Sequence, residues 1–349
     1  MAELIKSITK KEWRLLGILA LTVIVVTTIP LVYGWLVRPP GSIFVGIHFS
    51  NLNDWIVYYS YLEQARQGSL LFDNLFTAEN QTPMFNIFWI SVGILAKIFN
   101  LSPILTFNLV RILLIPIFYF VAYLFISYIF KDVRKRQVAL LLLSFSAGLG
   151  FFLLGRIVEY PTNHALGQFN WPIDLWVPEA FTFLTLYYSP HFIASLTLIL
   201  SVFFLSLIYV EKRQFFYSIW TGILALILFF FHPFHVLTVF GVIFFYFLIL
   251  IIKNREQLWP LFRHYVVLLI FSAPAIYYYF YLLSTDFVGV LAAGLIMVNR
   301  ICFFLPAWRD EFIQQYHDQT PLTCYSAGSC SVYPEQVGCA APCVVKTPA

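Results

Sequence analysis

Charged side chains are scarce in this chain of 349 residues. Asp, Glu, Lys and Arg make up 11% of it, whereas 60% is hydrophobic and 19% is aromatic. A soluble globular domain carries about 25% charged residues, and a chain with so few has too little polar surface to cover a water-soluble globule. The composition excludes an ordinary soluble domain, and the small net charge of +4 gives no reason to expect nucleic acid as a partner.

Several motifs of membrane machinery are also absent from the sequence. It contains no phosphate-binding Gly-x-x-x-x-Gly-Lys loop, no arginine-rich helix and no internal repeat at a fixed period. An ATP-driven pump subunit and a voltage sensor are therefore not expected. No Gly- or Pro-broken helices recur in two halves, as many secondary transporters would require.

Long apolar runs are what the chain has instead. They are continuous rather than alternating, which favours helices over a barrel, and about 20 residues suffice to cross a bilayer core of about 30 Å. The runs are 13–36, 103–130, 137–156, 184–210, 216–231, 236–252, 260–283 and 287–305. The sequence predicts an all-α polytopic membrane protein with about eight transmembrane helices.

The charged residues are sorted between the loops. Basic clusters lie at 6–14, 131–136, 212–213 and 253–263, and such clusters stay in the cytoplasm. With the N-terminus inside, the loops 38–83, 157–183, 232–235 and 284–286 lie outside, and they hold most of the acids and imidazoles of residues 1–305. The apolar segment 84–99 is short. We prefer a re-entrant or interfacial helix there, and a full span is the alternative.

Two regions follow from this pattern. Residues 1–305 form the transmembrane bundle, and 38–83 is its first external loop, with amphipathic interfacial helices. Residues 306–349 form a polar, cysteine-containing tail that we expect to be disordered or an aberrant, truncated end. Its cysteines are spaced C-x5-C-x8-C-x3-C, which matches no strong zinc motif.

Asp54 is the first candidate site residue. It opens an aromatic segment that includes Tyr58, at near-helical spacing just outside the first span. The carboxylate could simply cap the helix. It could also be a general base that deprotonates an acceptor hydroxyl at the membrane surface. Tyr58 is a candidate for substrate binding beside it.

The other candidates lie in later external loops or near the outer ends of the apolar runs. Glu179 and His191 are twelve residues apart and flank one predicted external cavity, and His232 begins a short His-Pro-Phe-His hairpin. Ionisable groups beside a membrane cavity are candidates for function by default. Glu179, His191 and His232 could hold a divalent metal or a phosphate, whereas loop solvation and turn formation are the alternative roles. Arg156 could snorkel outward or hold a lipid phosphate.

The order of these segments resembles the GT-C class of membrane glycosyltransferases. One span leads to a large external loop with Asp54-Trp55, then Thr82-Pro83, a short apolar helix, and a longer helix with Arg111. Trp176-Val177-Pro178-Glu179, Ser189-Pro190-His191 and His232-Pro233 continue the resemblance, which covers about 10–285. Asn53 stands where many members have a second acid.

The resemblance implies an enzyme of a bacterial plasma membrane, within the cell envelope. It would transfer a sugar from a polyprenyl-phosphate donor to an acceptor on the outer face, with inversion. Asp54 would be the catalytic base. Glu179, His191 and His232 would bind the carrier phosphate, directly or through a metal. Two other functions stay open: a lipid or polymer transporter or flippase, and an inactive, truncated assembly protein.

Overall fold

The computed structural model describes residues 2–42, 44, 46, 52–76, 82–146, 148–153 and 177–285. All of them belong to one compact unit. Of the described residues, 81% are helical. Extended pairing among them is limited to an isolated antiparallel bridge between Phe72 and Met84. The predicted all-α class is confirmed.

The helices of the described part are as follows. They are α1 (Ala2–Lys6), α2 (Lys10–Leu36), α3 (Leu52–Gln67), α4 (Ile87–Ile98), α5 (Pro103–Ile129), α6 (Val133–Phe145), α7 (Gly150–Leu153), α8 (Thr182–Tyr188), α9 (Pro190–Lys212), α10 (Phe215–Phe229), α11 (His235–Lys253) and α12 (Leu258–Thr285). Single 3-10 turns at Pro178–Ala180 and Arg255–Gln257 precede α8 and α12.

Five helical segments of the described part are long and apolar enough to cross a membrane. They are Lys10–Leu36, Pro103–Ile129, Pro190–Lys212, His235–Lys253 and Arg255–Leu282. Two shorter apolar helices are Ile87–Ile98 and Phe215–Phe229. The chain is therefore an integral membrane protein, whereas the predicted count of about eight spans is not confirmed. The predicted run 287–305 and the tail 306–349 lie outside the described residues.

The expected run 137–156 is not one continuous helix. Helix α6 ends at Phe145, and Ser146 has an extended backbone with φ −61° and ψ 124°. The four-residue helix α7 begins only at Gly150. Serine competes for backbone hydrogen bonds and glycine gains flexibility outside a helix, so the Ser-rich and Gly-rich sequence at 144–150 breaks the run.

The expected run 184–210 is also interrupted, at Ser189. Pro190 disfavours a helical conformation at the residue before it, and Ser189 is extended with φ −149° and ψ 143°. The run becomes α8 and α9, and α9 begins with Pro190 at its first position. This break puts His191 in the first turn of a long apolar helix.

The segment 84–99 forms a helix of 12 residues, α4. At about 1.5 Å per residue it extends about 18 Å, well short of a bilayer core of about 30 Å. It packs tightly against α3, because a Cβ atom added at Gly93 would overlap the side chain of Ala65 and lie 2.8 Å from its carbonyl carbon. The predicted short helix is confirmed, and its re-entrant or interfacial placement stays a prediction.

A buried polar cluster joins α2, α5 and α6 near the basic residues. The Glu12 carboxylate, which is fully buried, accepts a hydrogen bond from the Tyr123 hydroxyl at 2.6 Å and another from Arg136 Nη1 at 3.3 Å. Glu12 also completes a capping box with Thr9 at the start of α2. The cluster satisfies a charge pair that would otherwise be costly to bury.

Candidate functional site

Four of the predicted site residues lie at the beginnings of helices or in the turns before them. Asp54 is in the first turn of α3 and Glu179 is in the 3-10 turn before α8, and both are exposed. His191 is in the first turn of α9. His232 lies in the connection between α10 and α11. Arg156 lies outside the described residues.

Aromatic side chains bring α3, α4 and α9 together. The ring of Tyr58 meets the ring of His191 edge-on, with centroids 4.6 Å apart. Tyr58 also stacks on Trp89 of α4 at 5.2 Å, and Trp89 lies 5.4 Å from His191. Three of the predicted elements therefore share one packed cluster. Trp89, 2% exposed, was not among the predicted residues.

Three imidazoles line up at the centre of the site. The ring centroid of His232 lies 5.8 Å from that of His191 and 4.3 Å from that of His235, and both pairs are nearly parallel. His232 Nε2 is 3.7 Å from Glu179 Oε1. We call Tyr58, Glu179, His191, His232 and His235 the imidazole site. The sequence analysis noted the hairpin that contains both His232 and His235, but it selected only His232 as a site residue.

Hydrogen bonds in the imidazole site leave some nitrogens unpaired. His191 Nδ1 is bonded to the hydroxyl of Ser189 at 2.7 Å. His232 Nδ1 and His235 Nε2 are buried and have no hydrogen-bond partner in the part of the chain that the structure describes. A buried unpaired donor or acceptor is costly, and at a functional site it can be the group that meets a ligand.

Two carboxylates act on the Tyr58 hydroxyl of the imidazole site. Burial raises the pKa of the Tyr58 hydroxyl well above its usual value, and the charges of Asp54 and Glu179 raise it further. Asp54 is exposed, yet partial desolvation by the surrounding protein raises its pKa. Burial lowers the pKa of His232 well below its usual value, and the neighbouring His235 and His191 lower it further. The His232 imidazole is therefore neutral at physiological pH.

The structure assembles no metal site from these residues. Among the described residues, no group of three or more His, Cys, Asp or Glu side chains could hold a metal ion. The expected set of Glu179, His191 and His232 is brought together, with His232 Nε2 3.7 Å from Glu179 Oε1 and the His191 and His232 ring centroids 5.8 Å apart, but this spacing makes no ligand group. The arrangement offers hydrogen-bonding groups rather than a ligand set.

Arg111, which the sequence analysis located in a long apolar helix, is another buried polar residue. It is fully buried in α5, and its Nη1 atom donates to Thr27 Oγ1 at 2.7 Å and to the Leu186 carbonyl at 3.4 Å. Its Nη2 atom donates to Thr28 Oγ1 at 3.0 Å. The arginine therefore joins α2, α5 and α8.

Comparison of the chain with protein-family models, with curated proteins and with solved structures finds no match.

Proposed function

We propose that the chain is a membrane glycosyltransferase that moves a sugar from a polyprenyl-phosphate donor to an acceptor hydroxyl at the outer face of a bacterial plasma membrane. The supporting observation is the meeting of α3, the Glu179 turn, α9 and the His232 connection in one packed cluster. The N-terminus of the chain is cytoplasmic in this proposal.

Asp54 serves as the general base in the proposed reaction. One carboxylate oxygen of Asp54 takes the proton of the acceptor hydroxyl. At the same time the oxygen of that hydroxyl attacks the anomeric carbon of the donor sugar. The bond from the anomeric carbon to the phosphate oxygen breaks, and polyprenyl phosphate leaves with the electron pair. A base is most effective when its pKa lies near the working pH, and the raised pKa of Asp54 moves it in that direction.

The position of Asp54 suits a substrate that is anchored in lipid. The residue is one helical turn before Tyr58 on α3, at an exposed place on the rim of the imidazole site. Helix α3 is followed by apolar exposed side chains, Leu70, Leu71 and Leu75, that lie well at a membrane interface. A lipid carrier would hold its headgroup at this level.

The test is transfer of a labelled sugar in proteoliposomes that contain a polyprenyl-phosphate sugar. Asp54→Asn should lower the rate by about 10²–10⁴-fold, the usual contribution of a positioned base. Asp73→Asn is the matched control, since Asp73 is also exposed and follows α3. Unchanged transfer in Asp54→Asn would remove Asp54 from the mechanism. Movement of intact donor across the bilayer without cleavage would favour a flippase instead.

A further inference from the structure

We propose that Glu179, His232 and His235 form a subsite that binds the hydroxyl groups of an uncharged sugar ring and not a phosphate. The role of this subsite in sugar transfer rests on the proposed transferase function. Binding of a neutral sugar by these three residues does not depend on that function. His235 thereby becomes a specificity-determining residue of the imidazole site.

The hydrogen-bonding groups of the subsite fit adjacent hydroxyls. The Glu179 carboxylate lies 3.7 Å from His232 Nε2, and two buried nitrogens, His232 Nδ1 and His235 Nε2, lack a partner in the described part of the chain. A carboxylate only accepts hydrogen bonds, and a neutral imidazole offers one donor and one acceptor. A sugar hydroxyl both donates and accepts, so neighbouring hydroxyls can satisfy such a mixture.

The charges around the subsite disfavour a phosphate. Two carboxylates, Asp54 and Glu179, act together on the Tyr58 hydroxyl, and none of the lysines and arginines that the structure describes contributes to the shifted pKa of Tyr58 or His232. A phosphate placed beside the Glu179 carboxylate would meet a charge of its own sign. Phosphate sites in proteins commonly pair the anion with arginine or lysine, whereas a carboxylate, that of Glu179, faces His232 here.

The walls of the subsite are aromatic, as a sugar ring requires. Phe192 meets His232 edge-on at 5.5 Å, and Phe234 meets it at 5.8 Å. Phe234 is 73% exposed, so its ring is accessible to a ligand. One face of a pyranose carries C–H groups, which pack against aromatic rings while the hydroxyls at the rim make hydrogen bonds.

The experiment measures binding of small probes to the full chain in lipid nanodiscs by saturation-transfer-difference NMR. The probes are methyl glycosides of neutral hexoses, a methyl glycoside of an amino sugar, and farnesyl phosphate. The variants are Glu179→Gln, His235→Phe and the milder His235→Gln, and the control is Leu237→Ala, an exposed residue near the start of the same helix. The thermal unfolding midpoint checks that each variant is folded.

We expect Glu179→Gln and His235→Phe each to weaken the binding of the neutral glycosides by about tenfold, which corresponds to the loss of one good hydrogen bond. His235→Gln should lose less affinity for these glycosides, because glutamine keeps a hydrogen-bond donor and an acceptor. Farnesyl phosphate should bind Glu179→Gln as well as or better than the wild type. Weaker phosphate binding in Glu179→Gln, unchanged glycoside binding in His235→Phe, or binding confined to the amino sugar would overturn the subsite.

The outcomes separate this subsite from the proposed transfer reaction. Glycoside binding that depends on Glu179 and His235 in a protein without transfer activity would support the subsite and count against the transferase. Transfer that depends on Asp54, together with glycoside binding that ignores Glu179 and His235, would support the transferase and overturn the subsite.

Discussion

Replacing Thr27 by valine should show how much the hydrogen bond between Thr27 and the buried Arg111 stabilises the protein. Thr27 is 1% exposed, and its hydroxyl accepts a hydrogen bond from Arg111 Nη1 at 2.7 Å while it donates to the Val23 carbonyl at 2.7 Å. Valine has nearly the same shape, so Thr27→Val removes the acceptor without opening a cavity. The guanidinium then keeps its charge but loses its shortest hydrogen bond.

The magnitude of this loss follows from the kind of bond. A hydrogen bond to a charged group contributes about 1.5–3 kcal/mol in soluble proteins, whereas bonds between membrane helices average about 0.6 and reach about 1.7 kcal/mol. Because the donor is charged and fully buried, we expect a coupling energy between Thr27 and Arg111 of about 1–2 kcal/mol.

A double-mutant cycle measures this coupling. Thr27→Val, Arg111→Met and the double variant are unfolded with sodium dodecyl sulfate in mixed micelles, and helicity is followed by circular dichroism. Arg111→Met removes a costly buried charge together with its bonds, so it should destabilise the protein less than the sum of its contacts suggests. In that background Thr27→Val should cost only its bond to Val23, which cancels in the cycle.

The control for the cycle is Thr27→Ser, which keeps the hydroxyl and should lie close to the wild type. A coupling energy below about 0.3 kcal/mol, near the limit at which distant sites add, would refute the assignment of Arg111 as the partner of Thr27.

Two further predictions concern the short helix and the base. Gly93→Ala should lower the free energy of unfolding by about 1–3 kcal/mol, because the added methyl group would overlap Ala65. The control is Gly17→Ala, where the added methyl group meets open space and should not destabilise the protein. Chemical unfolding of the two variants measures the difference. Because the pKa of Asp54 is raised and the base must be ionised, transfer activity should fall on acidification at a pH above the ordinary range of an aspartate. A pH profile of kcat/KM measures this, and an acidic limb that persisted in the residual activity of Asp54→Asn would contradict it.

Helix type and several helix bounds could be predicted from the sequence. The runs 103–130, 236–252 and 260–283 correspond closely to α5, α11 and α12. The prediction was wrong where local chemistry overrides hydropathy, at the Ser-rich and Gly-rich stretch after Phe145 and at Ser189 before Pro190. Both breaks are visible in the sequence as turn-forming residues, which average hydropathy conceals.

The candidate site was predicted only in part. Glu179, His191 and His232 could be selected because ionisable residues are rare near apolar runs, and the structure brings them together. Trp89 could not be singled out in this way, since an aromatic residue in an apolar helix carries no signal of its own. His235 carried the same signal as His232 in their shared hairpin but was not selected. Their importance comes from contacts with Tyr58, His191 and His232.

The amino-acid sequence by itself determined that the chain is helical and lies in a membrane, because a chain with so few charges must satisfy its backbone internally and bury itself in lipid. Only the tertiary structure decided which polar groups meet. Helix packing places the first turn of α9 beside α3 and α4, and the connection before α11 beside Glu179. Such contacts join residues far apart in the chain, and no periodicity along it encodes them.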